Sequence, residues 1–120
     1  MRILGSEADF QKCITDLADL CGFWWMHIGD SRKEVKDKKS GYKLVGDDST
    51  SGWPDLVLFH PIRQITLFWE VKNCRRKVKF KRCTDDQLAT LTALSEAGEE
   101  ADVVCPEDWE AIQDILIGRH

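Results

Sequence analysis

Apolar residues near the start of the chain recur three and four positions apart. Phe10, Cys13, Ile14, Leu17 and Leu20 follow a helical period. Ser6 precedes them as a candidate N-cap with Asp9 three residues on, and Gly22 supplies a stop. The pattern therefore predicts a helix between Ser6 and Gly22. The period then changes. Residues 23–28, Phe-Trp-Trp-Met-His-Ile, read as a short strand. Residues 29–52 are polar, charged and glycine-containing with no period, which reads as a long loop.

Two further strands follow. Residues 55–60 (Asp-Leu-Val-Leu-Phe-His) and 65–72 (Ile-Thr-Leu-Phe-Trp-Glu-Val-Lys) flank a turn from Pro61 to Gln64. Residues 73–83 form a basic loop. Thr84 caps a second helix whose apolar face carries Leu88, Leu91 and Leu94, and Gly98 ends it. Residues 101–105 read as a short strand. Pro106 opens a last helix with Trp109, Ile112, Ile115 and Leu116 toward the core. The order helix, strand, strand, strand, helix, strand, helix predicts an α/β fold, with one mixed β-sheet flanked by helices in a single domain over residues 1–120.

Composition is consistent with that picture. A chain of 120 residues, 42% of them hydrophobic, can bury a core of its own. It is short enough that pairing into a dimer would be in keeping. No apolar run approaches the roughly 20 residues of a membrane span. The N-terminus lacks a basic-then-apolar signal, so a cytoplasmic location is expected. The cysteines, Cys13, Cys21, Cys74, Cys83 and Cys105, number five and form no C-x-x-C pair, which argues against a disulfide framework. Cys74, Cys83 and a histidine match no standard zinc spacing, so buried or idle thiols are the better reading.

Charge divides the chain more sharply than its net of −4 suggests. Residues 31–83 hold fourteen basic and six acidic side chains, a net of +8, whereas residues 84–120 hold one basic and ten acidic, a net of −9. Residues 31–83 are thus a candidate polyanion-binding surface on an otherwise acidic protein.

Inside that segment lies an acidic–lysine constellation. Glu-Val-Lys occurs twice, at 34–36 and at 70–72. The first copy belongs to a polar charge run and reads as solvated surface. The second closes the apolar strand Ile65-Thr66-Leu67-Phe68-Trp69, where ionised groups need a partner or a metal to offset desolvation. Residues two apart in a strand share a face, so Glu70 and Lys72 lie side by side. A hairpin centred near Arg63 pairs positions that sum to about 126, which sets Asp55 opposite Val71 and beside Glu70. Gly52-Trp53-Pro54 fixes the entry turn and lets a large ligand approach the backbone. Two carboxylates this close repel unless a cation joins them, and Mg²⁺ suits one or two carboxylates plus substrate phosphate. Such an ion would activate water and offset charge in phosphodiester hydrolysis, with Lys72 orienting the water or stabilising developing charge. The competing reading is an ordinary ion-pair network at a sheet end.

Gly52-Trp53-Pro54-Asp55-Leu56 followed by Glu70-Val71-Lys72 resembles the PD-(D/E)XK nuclease signature. The surrounding pattern is similar to stand-alone, phage- and bacteria-type members of the VRR-NUC family. It runs from Ser6-Glu7 through His27 and Asp30-Ser31-Arg32, past Gln87, to Ala97-Gly98 and Pro106-Glu107-Asp108-Trp109. The resemblance implies a restriction-endonuclease-like core and an enzyme that hydrolyses DNA phosphodiesters with Mg²⁺ or Mn²⁺, on flaps, Holliday junctions or other branched DNA. It further implies that Asp55, Glu70 and the Val71 carbonyl hold the metal, that Lys72 is catalytic, that Glu7 stands near the metal or its water shell, and that Gln87 joins the site. A homodimer is implied as well.

Glu7 and Gln87 each have a plainer reading. A carboxylate in the first turn of a helix is favoured by the dipole, although Phe10 and Ile14 at three and seven positions on turn Glu7 toward the buried face. Gln87 completes a Thr-x-x-Gln capping box with Thr84. His27 reads as a strand-end structural histidine before it reads as a ligand, and His60 reads as structural.

Residues 72–82 carry seven basic side chains and no acidic one: Lys72, Arg75, Arg76, Lys77, Lys79, Lys81 and Arg82, with Phe80 interleaved. Directly after the candidate catalytic lysine, they would border a bound DNA backbone and neutralise phosphates. Arg32, Lys33, Lys36, Lys38, Lys39 and Lys43 form a second cluster, diluted by Glu34 and Asp37. Neither cluster suggests base-specific readout. The alternative to a nuclease is a catalytically inactive nucleic-acid-binding module on the same fold, against which the intact Asp55, Glu70 and Lys72 speak. A sequence-specific restriction enzyme normally needs more chain.

Overall fold

The computed structural model describes residues 5–28 and 52–119. Helix α1 (Glu7–Leu20) begins at Ser6, whose Oγ accepts from the Asp9 amide at 3.2 Å while the Asp9 carboxylate accepts from the Ser6 amide at 3.0 Å. This reciprocal pair satisfies two amides that the first turn would otherwise leave without partners. The helix buries Phe10, Ile14, Thr15 and Ala18. Leu20, expected on that stripe, is exposed, because the buried line runs 10–14–18 and position 20 has rotated off it.

Four strands form one mixed sheet in the order β1 (Trp24–His27), β2 (Leu56–His60), β3 (Ile65–Val71), β4 (Glu100–Val104). The first three are antiparallel neighbours, and β4 runs parallel to β3. A parallel neighbour needs a crossover. Helix α2 (Asp85–Glu96) supplies it, and helix α3 (Trp109–Ile117) follows β4. The α/β class and the mixed sheet expected from the sequence are therefore present, with three α-helices among the described residues. Two 3₁₀ turns refine it. Arg76–Val78 lies in the basic loop, and Pro106–Asp108 carries the proline that was expected to open α3 itself.

Strand alternation sorts the sheet into two faces. On one, Leu56, Leu58, Leu67, Trp69, Val71 and Val104 pack with Phe10, Ile14 and Ala18 of α1 and Trp109, Ile112 and Leu116 of α3. On the other, α2 packs against β4, and Glu70 is the residue between the two core positions Trp69 and Val71. The hairpin end is tied down by Arg63, whose guanidinium donates to the Ile115 and Leu116 carbonyls at 2.9 Å each, at the C-terminus of α3. His60 accepts the Arg63 amide through Nδ1 at 3.1 Å, in keeping with a structural role. No helix among the described residues is long and apolar enough to cross a membrane.

Candidate active site

Register decides which groups meet. The β2–β3 partners are Leu56 with Trp69, Val57 with Phe68 and onward to His60 with Ile65. Their numbers sum one short of the expected value, so the continued ladder sets Asp55 across from Glu70 rather than Val71. This tightens the expected grouping, since directly opposed residues lie on the same face. Asp55 Oδ2 accepts the Val71 amide at 2.9 Å, and its backbone carbonyl accepts from Ile28 at 2.9 Å, which fixes the residue between β1 and β3.

The same continuation pairs Val71 with Pro54. A hydrogen-bonded antiparallel pair exchanges two bonds. Proline has no N–H to give, so the ladder offers no donor to the Val71 carbonyl. Its amide goes to the Asp55 side chain instead. Pro54 thus gives no N–H to the Val71 carbonyl beside the Asp55 carboxylate. Gly52, at φ 83°, has a different partner from the one expected: a Cβ there would stand 2.7 Å from the Asp86 carbonyl, so its close approach is to the first turn of α2, not to a ligand.

Glu70 is 2% exposed. Burial first, and then the neighbouring Asp55 charge, push its pKa up to about 8, and Lys72 opposes the rise. Lys72 Nζ stands 3.4 Å from Glu70 Oε2, and Gln87 Nε2 donates to that same oxygen at 3.1 Å. Among the described residues Glu70 Oε1 is buried with no hydrogen-bond partner. A buried, unpartnered carboxylate oxygen beside a second carboxylate is the donor set that a hard divalent cation satisfies. Asp55, Glu70 and the Val71 carbonyl thus fit a cation that keeps most of its waters.

Glu7 is the first residue of α1. Among the described residues no group of three or more His, Cys, Asp or Glu is placed to hold a metal ion, and Glu7 is exposed rather than turned toward the buried face. It stands one turn before Phe10, where the core contacts of α1 begin. The start of α1 is nevertheless tethered next to the site, because Asn73, directly after Lys72, donates to the Gly5 carbonyl at 3.0 Å. Gln87 meets both of its readings at once. Its Oε1 accepts the Thr84 amide at 2.8 Å in a capping box while its Nε2 holds Glu70.

The basic run separates into two groups. Lys79 is buried and donates to Asp108 Oδ2 at 2.9 Å, and Arg76 Nε donates to Asp108 Oδ1 at 2.8 Å. Arg76 also donates to the Glu107 carbonyl and, through its amide, to the Glu107 carboxylate. Burial works to raise the Asp108 pKa, but the hydrogen bonds from Lys79 and Arg76 outweigh it and hold the carboxyl below its ordinary value. Arg75 stands 3.8 Å from Glu107 at the surface. Lys79 is therefore a structural cation, which corrects its expected part in DNA contact, whereas Arg76 pairs with Asp108 and keeps most of its side chain exposed. The signal for this pairing was the acidic excess of residues 84–120, part of which neutralises the basic loop from within. Lys77, Lys81 and Arg82 are exposed with no ion pair among the described residues.

Several expected positions fall elsewhere. Arg32 and the cluster after it lie outside the described residues. His27 pairs with Leu56 and contacts Trp25 edge-on at 5.4 Å, so alternation turns it to the α1 side, away from Glu70. Cys74 and Cys83 are half-buried, and burial raises the Cys83 thiol pKa. Cys105 is fully buried, and burial followed by its hydrogen bond to Asp108 pushes its pKa up to about 11, the condition of an inert thiol. No family model matches the chain, and neither a curated protein nor a solved structure matches it.

Proposed function

We propose that this chain is a divalent-metal-dependent DNA endonuclease that hydrolyses phosphodiester bonds at Asp55, Glu70 and Lys72. The observation that carries the reading is the buried, unpartnered Oε1 of Glu70, set across from Asp55 and beside an ammonium group. A buried carboxyl group facing a second one beside a lysine suits a site that receives a divalent cation. The likeness of Trp53-Pro54-Asp55 and Glu70-Val71-Lys72 to the PD-(D/E)XK signature supports the same reading, as does a mixed sheet compatible with a restriction-endonuclease-like core.

In this reading Mg²⁺ or Mn²⁺ is held by Asp55, Glu70 and the Val71 carbonyl, and when bound it polarises the phosphate and acidifies water. The chain's own groups do the rest. Gln87 fixes the rotamer of Glu70 by holding Oε2. Asp55 is held by the Val71 amide, so its carboxylate is positioned before substrate arrives. Lys72, partly exposed, reaches the edge of the site, where its ammonium can orient a water and stabilise charge on a phosphate oxygen. Lys77, Lys81 and Arg82 contact the phosphate backbone without reading sequence. A homodimer, which the family likeness implies, would bring two such sites to one branched substrate.

The test incubates the protein with end-labelled linear, flapped and four-way-junction DNA, with EDTA, Mg²⁺ or Mn²⁺. Metal-dependent cleavage of at least one substrate is expected. Binding of DNA with no cleavage in either metal would leave a nucleic-acid-binding module instead.

A further inference from the structure

Among the described residues, the sheet face that carries Glu70 is only partly covered. Helix α2 packs over β4, while the β1–β3 part of the face presents large side chains to solvent. Trp24 is 64% exposed, Met26 55%, Phe59 39% and Trp53 36%. The opposite face, under α1 and α3, buries Leu56 and Leu58 completely. Most of these exposed residues are aromatic, and they are arranged in pairs. Trp24 and Phe59 stack with centroids 6.1 Å apart and planes at 17°, and Trp53 leans on Phe68 at 6.5 Å. Alternation puts Val57, Phe59 and Phe68 on the same side as Asp55 and Glu70. Phe59 lies four residues along β2 from Asp55, roughly 13 Å at the rise of a strand.

We propose that this aromatic face is a stacking platform for the unpaired bases of a DNA single strand. Exposed rings take bases because every base has a π-face, and cations beside them take the phosphates. The face supplies the rings, and the segment that leaves its end supplies the cations. Trp53 stands two residues before Asp55, Lys72 is at the end of the face, and Lys77, Lys81 and Arg82 follow it in the chain without ion-pair partners among the described residues. A second copy of the chain fits less well. Interface cores are depleted of charge, whereas this patch runs straight into Asp55, Glu70 and Lys72, and a protein seated on it would cover them. The proposal rests on the nuclease reading of that cluster, and its test separates binding from cleavage.

Fluorescence anisotropy in EDTA compares an oligothymidine single strand with a blunt duplex of equal length, for the wild type, Trp24→Ala, Phe59→Ala and Trp24→Phe. The single strand should quench tryptophan fluorescence. Each alanine variant should weaken its binding about tenfold, Trp24→Phe should recover most of the loss, and duplex binding should stay unchanged. Thermal unfolding and sedimentation accompany each variant. Unchanged single-strand affinity in Trp24→Ala and Phe59→Ala overturns the proposal. So does a loss shared equally by the duplex, or a shift from dimer to monomer with single-strand binding intact, which would give the face to a second copy. Trp24-dependent binding with no cleavage in any metal removes the nuclease reading alone, and cleavage with no such binding removes the platform alone.

Discussion

Replacing Glu70 by glutamine should stabilise the metal-free protein, and increasingly so as the pH rises. The carboxyl has an ordinary value of 4.5 in an unfolded chain and about 8 when buried opposite Asp55. The folded state therefore keeps a proton that the unfolded chain has already released. Stability falls as pH climbs through that window and is flat outside it. At about 1.4 kcal/mol per pH unit, the wild type loses at most about 4 kcal/mol between pH 5 and pH 9, and relaxation with water entry brings this to about 2 kcal/mol. The glutamine variant carries no such proton. The gap in melting temperature between Glu70→Gln and wild type should thus widen by about 8 °C from pH 5 to pH 9, at about 4 °C per kcal/mol for a chain of this length. The assay is differential scanning fluorimetry in EDTA over a pH series, repeated with Mg²⁺ or Mn²⁺. Metal should close the gap at pH 9 by stabilising the wild type far more than the variant, because only the wild type has the second carboxylate. A gap that stays constant with pH would refute the buried-carboxylate account. Equal stabilisation of both proteins by metal would refute the donor set.

Lys72→Ala should bind DNA as the wild type does and lose cleavage by at least about a hundredfold, measured by gel shift and single-turnover cleavage. Equal cleavage would remove Lys72 from the mechanism. Reversing Lys77, Lys81 and Arg82 to glutamate should weaken DNA binding and flatten the dependence of log affinity on log salt by about 3, at roughly one unit per phosphate contact. Asp108→Ala should cost about 3 kcal/mol in urea unfolding, because it strands the buried Lys79 ammonium and frees Arg76. Pro54→Ala should keep the fold yet weaken metal dependence about tenfold in a metal titration of cleavage, since the new amide can donate to the Val71 carbonyl.

The elements were legible because local chemistry set them. Ser6 and Thr84 cap α1 and α2 as their side chains suggest, and the change from helical period to continuous apolar runs marks the strands. Asp55, Glu70 and Lys72 were legible as a group because alternation fixes two of them and one hairpin fixes the third. Their register was off by one, since the turn centre falls between Ile62 and Arg63 and local sequence does not settle a half-residue shift. The pairings that remained hidden join residues about thirty positions apart. Nothing near Arg76 or Lys79 in sequence announces Asp108, and only the packing of two 3₁₀ turns brings them together.

Gln87 serves two masters, and position 87 is narrow as a result. One end of the amide closes the first turn of α2, and the other grips Glu70. Glutamate could close the turn but would set another carboxyl group beside Asp55 and Glu70. Asparagine keeps the amide on a chain one methylene shorter and forfeits the capping box. Opening of the α2 start and loosening of Glu70 are consequently one event rather than two. Amide exchange at Thr84 should report the order of the candidate active site without any substrate being present.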